Sequence, residues 1–118
     1  RVGLAGPVIA SGAGAARSAR RRARPYRVGV GPSQPSPTAV MGGYDGGFAQ
    51  VLGDPEPGDT LGVHVLGPHA TDLIAEATLG FQLDATPWEI GGATHPHPTL
   101  SEIIGEAALA VDGRSLNF

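Results

Sequence analysis

The spacing of apolar residues changes once along this chain, and that change limits the folds open to it. From Leu61 to Leu66 the side chains alternate with a period of two, which is typical of a strand. From Ala70 to Leu83 apolar residues recur every three or four positions, which is typical of an amphipathic helix. Strand patterns lie before this point and helix patterns after it. The order predicts an α+β domain, an antiparallel sheet covered on one face by helices.

Three more strands are predicted upstream, at residues 26–30, 38–41 and 48–52. The turn sequence GDPEPGD separates the last of them from the strand at 61–66, so these two should form an antiparallel hairpin within a β-meander. The proline-rich stretch GPSQPSP at 31–37 is predicted to be a loop.

The N-terminal part differs from the rest in charge. Seven of the eight arginines lie in residues 1–27, whereas all eleven acidic residues lie at Asp45 or later. This arm has one aromatic residue, Tyr26, and no nucleic-acid motif, so nucleic acid is not favoured as a partner. Residues 13–24 have the composition of an exposed helix. No apolar run reaches the roughly 18 residues that a membrane span needs, so no membrane partner is expected.

Two helix starts carry the capping-box pattern, a threonine followed three residues later by a glutamate. Thr86 and Glu89 enclose Pro87 at the first helical position, and this short helix should end at Gly91-Gly92. Thr99 and Glu102 precede a third apolar helical face that runs to about residue 110.

The second of these starts lies in THPHPTLSE, residues 94–102, which allows three interpretations. His95 and His97 could begin a metal site completed by Glu102 or by the distant His64 and His69. Alternatively, Thr99 and Glu102 are only a helix cap. Thirdly, Glu102 could orient the His97 imidazole for proton transfer. The chain has no cysteine and no serine in a nucleophile-elbow setting, so a substrate or partner would then have to supply the reactive group.

Residues 38–118 resemble the C-terminal interface (dimerisation) domain of dihydrolipoamide dehydrogenase, in the pyridine nucleotide-disulfide oxidoreductase family. The resemblance rests on GDTLGVHVLGPHATDLIAEATLGFQLDAT at 58–86, HPHPTLSE at 95–102 and EAALAVDGRSLNF at the end. It implies that His97 is the catalytic acid–base, that Glu102 orients it, and that His97–Pro98 is a cis peptide. It further implies that His97 and Pro98 approach the flavin of the partner subunit.

The resemblance also sets expectations for the whole protein. The intact family enzyme uses FAD and NAD, and none is expected to bind this chain alone. Partners would be a second copy or the FAD and NAD domains of a parent enzyme, in the cytoplasm. Residues 1–37 are a divergent basic, glycine- and proline-rich segment, partly the first strand and helix of the domain, and 38–118 are the interface domain. The expected function is that of a dimerisation domain supplying a His–Glu pair, inactive in isolation. The alternative is a non-enzymatic metal-binding or self-associating small domain.

Overall fold

The computed structural model describes residues 8–13, 25–32, 46–56 and 58–116. Four antiparallel strands form one sheet in the order β1-β4-β3-β2. Three helices follow the strands and pack on one face of the sheet. The predicted α+β class is therefore confirmed. The elements are β1 (Val8–Ala13), β2 (Arg27–Pro32), β3 (Phe48–Gly53), β4 (Thr60–Gly67), α1 (Ala70–Gln82), α2 (Pro87–Gly92) and α3 (Glu102–Ala110).

Strands β2, β3 and β4 form the predicted meander. β3 pairs with β4 in antiparallel register, with Phe48 opposite Leu66, so the predicted hairpin is confirmed. Its turn is closed by the Asp54 N–H, which donates to the Asp59 carbonyl at 2.8 Å. β2 extends through Pro32, which the sequence had assigned to a loop. Pro32 ends an edge strand, where proline's missing N–H is tolerated.

Strand β1 was not predicted. It pairs with β4 along the other edge of the sheet, with Ile9 opposite Leu66. Four of the six residues in its sequence VIASGA are glycine, alanine or serine, which gives a weak strand signal, so the pairing edge of β4 decides its conformation. The predicted helix at 13–24 cannot begin at Ala13, which is the last residue of β1.

Several expectations fall on residues that the structure does not describe. They include the rest of the predicted helix at 13–24 and the strand at 38–41. The division of the chain into residues 1–37 and 38–118 stays a prediction. β1 and β2, from the first of these segments, pair within the same sheet as β3 and β4.

The core lies between the sheet and the helices. α3 packs across β2 and β3, while α1 packs on β1 and β4. A Cβ at Gly29 would overlap the carbonyl oxygen of Ala107, so β2 and α3 meet backbone against backbone. The fully or almost fully buried apolar side chains are Ala49, Val51, Leu52, Val63, Val65, Ala70, Ala77, Ile104, Ala107 and Ala108.

Helix α2 begins as predicted. The Thr86 hydroxyl accepts from the Glu89 N–H at 3.2 Å, and the Glu89 carboxylate accepts from the Thr86 N–H at 2.8 Å. Pro87 occupies the first turn and Gly92 is the last helical residue, so this capping box is confirmed. Among the described residues no helix combines the length and apolar character needed to cross a membrane.

Candidate functional site

The loop between α2 and α3 brings His97 and Glu102 together. His97 Nδ1 lies 2.8 Å from Glu102 Oε1, and Glu102 is the first residue of α3. The histidine side chain is 66% exposed and the glutamate side chain only 18%, so a largely buried carboxylate holds an accessible ring. The peptide bond between His97 and Pro98 is cis, as the resemblance implies.

Glu102 also holds the loop backbone. Its Oε2 accepts from the Thr99 N–H at 2.8 Å, which is half of the predicted capping box. The Thr99 hydroxyl donates to the Pro96 carbonyl at 2.5 Å, and the N-cap residue of the helix is Ser101, whose side chain makes no capping hydrogen bond. α3 therefore begins at Glu102 instead of directly after Thr99.

These contacts determine the ionisation of Glu102. Partial burial acts to raise the pKa of the Glu102 carboxyl. Hydrogen bonds from the Thr99 backbone and the His97 ring outweigh it, and the charges of His97 and His95 add to their effect, so the pKa lies below its usual value. Glu102 is thus an ionised acceptor at neutral pH, which favours a proton on His97 Nδ1 and leaves Nε2 for proton transfer. The geometry matches half of an acid–base catalyst.

His95 binds a different helix. Its Nε2 lies 2.6 Å from Glu76 Oε1 on α1, and its side chain is only 10% exposed. The hydrogen bond to Glu76 raises the pKa of the His95 imidazole, burial opposes the rise, and the Glu76 charge, the Ala93 backbone and Glu102 add to it. His95 and His97 therefore bind separate carboxylates and do not form a shared pair of metal ligands.

The two remaining histidines lie on other elements. His64 is on β4, opposite Ser11 and Gln50 in the sheet register, and burial lowers the pKa of its imidazole. His69 precedes α1 and lies 3.3 Å from Asp72. Across the described residues, no three histidine, aspartate or glutamate side chains converge in a way that could hold a metal ion. The metal interpretation of the motif is not favoured.

Sequence reasoning missed two residues beside the pair. Glu76 falls on the polar side of the amphipathic pattern at 70–83, although its carboxylate reaches the motif loop. Gly105 lies inside α3, where a Cβ would come within 2.6 Å of the His95 ring. Neither had a local signal, because the first contact spans 19 residues and the second depends on how the loop folds back on α3.

Comparison with known proteins identifies the class. Residues 5–108 match the family model described as the pyridine nucleotide-disulphide oxidoreductase dimerisation domain. The chain therefore belongs to that family. Its curated relatives are similar to it across most of its length, and the resemblance to the dimerisation domain of dihydrolipoamide dehydrogenase is confirmed.

Two relatives illustrate the similarity. The dihydrolipoyl dehydrogenase of Bacillus subtilis is 51% identical over 92 residues, which is 78% of this chain and 19% of that protein. The dihydrolipoyl dehydrogenase of Cupriavidus necator is 42% identical over 95 residues, which is 80% of this chain and 20% of that protein. The chain thus spans about a fifth of the length of these relatives.

Solved structures share the fold. LpdA from Mycobacterium tuberculosis superposes with a TM-score of 0.80 at 25% identity, over 86% of this chain and 22% of that one. The HOCl-induced flavoprotein disulfide reductase RclA from Escherichia coli superposes with a TM-score of 0.79 over 86% of this chain and 25% of that one. RclA is only 16% identical, so this likeness concerns the fold alone.

Proposed function

We propose that this chain is the dimerisation domain of a dihydrolipoyl dehydrogenase-like flavoenzyme and supplies His97 and Glu102 as its acid–base pair. The observation that carries the proposal is the 2.8 Å contact between an exposed imidazole and a largely buried, ionised carboxylate. Such a carboxylate fixes the ring orientation and stabilises the imidazolium that forms when Nε2 takes a proton. Similarity to curated dihydrolipoyl dehydrogenases supports the same role.

The chemistry would be thiol–disulfide exchange. His97 Nε2 takes the proton of a thiol, and the resulting thiolate attacks one sulfur of a disulfide. One sulfur–sulfur bond forms as another breaks, and the departing sulfur leaves as a thiolate, which the imidazolium can protonate. Glu102 stays ionised throughout and keeps Nδ1 protonated.

The thiols have to come from outside this sequence, which contains no cysteine. In a dimerisation domain, the other subunit or the remainder of the parent enzyme would present them. His97 and Pro98 are both exposed, so they can contact a flavin held by a partner, but they do not enclose one. When bound to the parent enzyme, FAD would take electrons from the dithiol and NAD would receive them. We propose that the chain alone binds no flavin and has no oxidoreductase activity, and a flavin absorbance band in the purified protein would contradict this.

We further propose that the chain pairs with a second copy through its helical, His97-bearing side. The family to which it belongs is described as a dimerisation domain. Large apolar side chains of the kind that interfaces bury are exposed in the helices and in the segments that follow them. These are Leu79, Leu83, Trp88 and Leu116, with exposures from 53% to 82%. Sedimentation that shows only monomer at high concentration would count against this.

The acid–base role can be tested in a chimera. The matching region of the Bacillus subtilis enzyme would be replaced by this chain, and NAD-dependent oxidation of dihydrolipoamide would be followed at saturating substrate. General acid–base catalysis contributes about 10²–10⁴-fold, so His97→Gln should lower kcat by a factor in that range. Glu102→Gln should lower kcat less, because the ring remains but loses its orienting charge.

The matched control is His69→Gln, which removes another exposed histidine that lies beside a carboxylate. It should leave kcat within about twofold of the unaltered chimera, as surface changes away from a site usually do. A chimera in which His97→Gln is as active as His69→Gln would rule out the proposed catalytic role. The chimera must bind flavin normally in every variant for the comparison to count.

A further inference from the structure

We propose that His95, held by Glu76, is a positioning residue that keeps Glu102 in place and ionised beneath His97. The inference rests on the proposed role of the His97–Glu102 pair. It adds a second His–Glu pair that touches no reacting atom, and it links α1 to the start of α3. The motif would then contain one histidine for proton transfer and another for placement.

The position of the His95 ring depends on a notch in the surface of α3, at Gly105, where no side chain projects. A Cβ on Gly105 would lie 2.6 Å from His95 Nδ1 and 2.7 Å from Cε1, closer than real Cβ atoms approach other groups. Only glycine therefore lets the ring rest against the helix backbone at this point. Gly105 stands three residues after Glu102, on the same side of α3. His95 and Glu102 accordingly line the same shallow cleft.

The ring is fixed from the opposite side by α1. Glu76 Oε1 lies 2.6 Å from His95 Nε2, in the range of a charge-assisted hydrogen bond. The Ala93 backbone also acts to raise the pKa of the His95 imidazole. Both influences favour the positively charged form of the ring, which lies between α1 and α3.

Three carboxylates lie around the His95 ring. Glu76 faces it from α1, and Glu102 and Glu106 line the same cleft from α3. Glu106 is 8% exposed and accepts the Leu116 N–H at 2.8 Å. Without the His95 charge, two neighbouring glutamates on one turn of α3 would repel each other and disfavour an ionised Glu102. Carboxylates and imidazoles thus alternate: Glu76 binds His95, His95 shares a cleft with Glu102, and Glu102 binds His97.

The test reads the geometry of the pair in the 118-residue chain itself. Imidazole ¹⁵N shifts would give the His97 tautomer at pH 6–8, and hydrogen exchange would report the Thr99 amide that Glu102 binds. The variant is Glu76→Gln, which keeps the size of the side chain and removes its charge. Asp72→Asn is the matched control, since it removes the carboxylate beside His69 on the same helix.

In the unaltered chain we expect the His97 proton on Nδ1 and a slowly exchanging Thr99 amide. Glu76→Gln should mix the two His97 tautomers and speed Thr99 exchange at least about fivefold, through local opening of the loop. Asp72→Asn should change neither. Glu76→Asp, which keeps the charge, should restore part of the Nδ1–H tautomer, a recovery that loss of packing alone would not give.

The proposal fails if Glu76→Gln leaves the His97 tautomer and Thr99 exchange as they are in Asp72→Asn. If Glu76→Gln does not fold, His95→Gln gives the same measurement, because it retains a hydrogen-bonding side chain and removes the positive charge. Unchanged His97 and Thr99 signals in His95→Gln would likewise overturn the proposal. Failure of the catalytic role would appear in the chimera assay, whereas these signals depend only on how Glu102 is held.

Discussion

Two helix starts in this chain share one sequence pattern and use it differently. Residues 86–92 read TPWEIGG and residues 99–105 read TLSEIIG, so threonine, glutamate, isoleucine and glycine stand at the same four positions. Both isoleucines are buried in the core. At the first start, threonine and glutamate bind each other's backbone N–H and close a complete capping box.

At the second start the glutamate is shared. Glu102 gives one oxygen to the Thr99 N–H and the other to His97, while the Thr99 hydroxyl turns back to Pro96. The position two residues before the threonine accounts for the difference. Asp84 stands there in the first copy and cannot donate to a carboxylate, whereas His97 stands there in the second and can. A capping glutamate thus becomes part of a site when a donor is placed beside it.

The glycines at the end of the two patterns should show the largest contrast. Gly105→Ala places a Cβ against the His95 ring, whereas Gly92→Ala enters open space. Overpacking costs about 1–3 kcal/mol and alanine returns up to about 1 kcal/mol of helix propensity. We therefore expect Gly105→Ala to lower the free energy of unfolding by about 1–2 kcal/mol in urea denaturation. Gly92→Ala should be neutral or slightly stabilising.

The same two variants also test whether the His95 ring moves away from Glu76. In Gly105→Ala, relief of the clash should move His95 away from Glu76, and the His95 imidazole should then lose its raised pKa in an NMR titration. Gly92→Ala should leave that titration unchanged. Equal stabilities for the two variants would show that the ring does not depend on the notch.

The threonines of the two helix starts should show the next largest difference in their contribution to stability. Thr86→Ala removes the hydroxyl that accepts the Glu89 N–H, and loss of such a cap costs about 1 kcal/mol. Thr99→Ala removes a hydroxyl that binds the Pro96 carbonyl and Ser101, two residues before the N-cap position of α3. We expect its cost in urea denaturation to be about 0.5 kcal/mol or less. A larger loss for Thr99→Ala than for Thr86→Ala would mean that the second box closes in solution.

The two helix starts show which features of the fold and the candidate site can be predicted from the sequence. Apolar spacing predicted α1 and α3, the capping box predicted α2, and the turn residues of GDPEPGD predicted the β3–β4 hairpin, because each pattern lies within a short stretch of sequence. The complete box at Thr86 was predicted for the same reason, since all its bonds lie within four residues. The His97–Glu102 contact spans five residues and was one of three interpretations of the motif. The family resemblance favoured it, whereas the apolar periodicity did not.

What the sequence missed depends on contacts between distant elements. β1 consists largely of small residues, and its conformation follows from the free edge of β4. The Glu76–His95 contact crosses 19 residues, and no local pattern separates Glu76 from an ordinary exposed helix residue. The hydroxyl of Thr99 had two possible partners, and only the folded loop shows that it binds Pro96.

The two glutamates should differ in pH dependence. The pKa of each carboxyl is lowered, so each stabilises the fold above the unfolded value near 4.3, and this stability is lost as pH falls through the lowered folded pKa. The contacts of Glu89 are to uncharged Thr86, so nothing further changes at higher pH. Glu102 also faces His95, whose pKa is raised and whose charge is lost as pH rises through that value.

Glu102→Gln should therefore cost most between about pH 5 and 6.5 and less on either side, whereas the cost of Glu89→Gln should fall only in acid. A charge at a helix start contributes about 0.3–1 kcal/mol, which sets the scale for Glu102. Denaturation midpoints of both variants from pH 3 to 9 would measure this. If the denaturation midpoints of the two variants changed in parallel with pH above 6.5, His95 would not act on Glu102.

The smallest effect should come from a third helix start, where His69 lies 3.3 Å from Asp72 at the beginning of α1. Here the histidine side chain is 57% exposed and the aspartate 79%, so water screens the pair on all sides. Asp72→Asn should change the free energy of unfolding by about 0.5 kcal/mol or less. At the start of α3 the carboxylate is instead largely buried and bound to backbone, so its histidine has a fixed orientation. If Asp72→Asn were as costly as Glu102→Gln near pH 6, proximity alone would suffice and burial of Glu102 would not be what distinguishes the His97 pair.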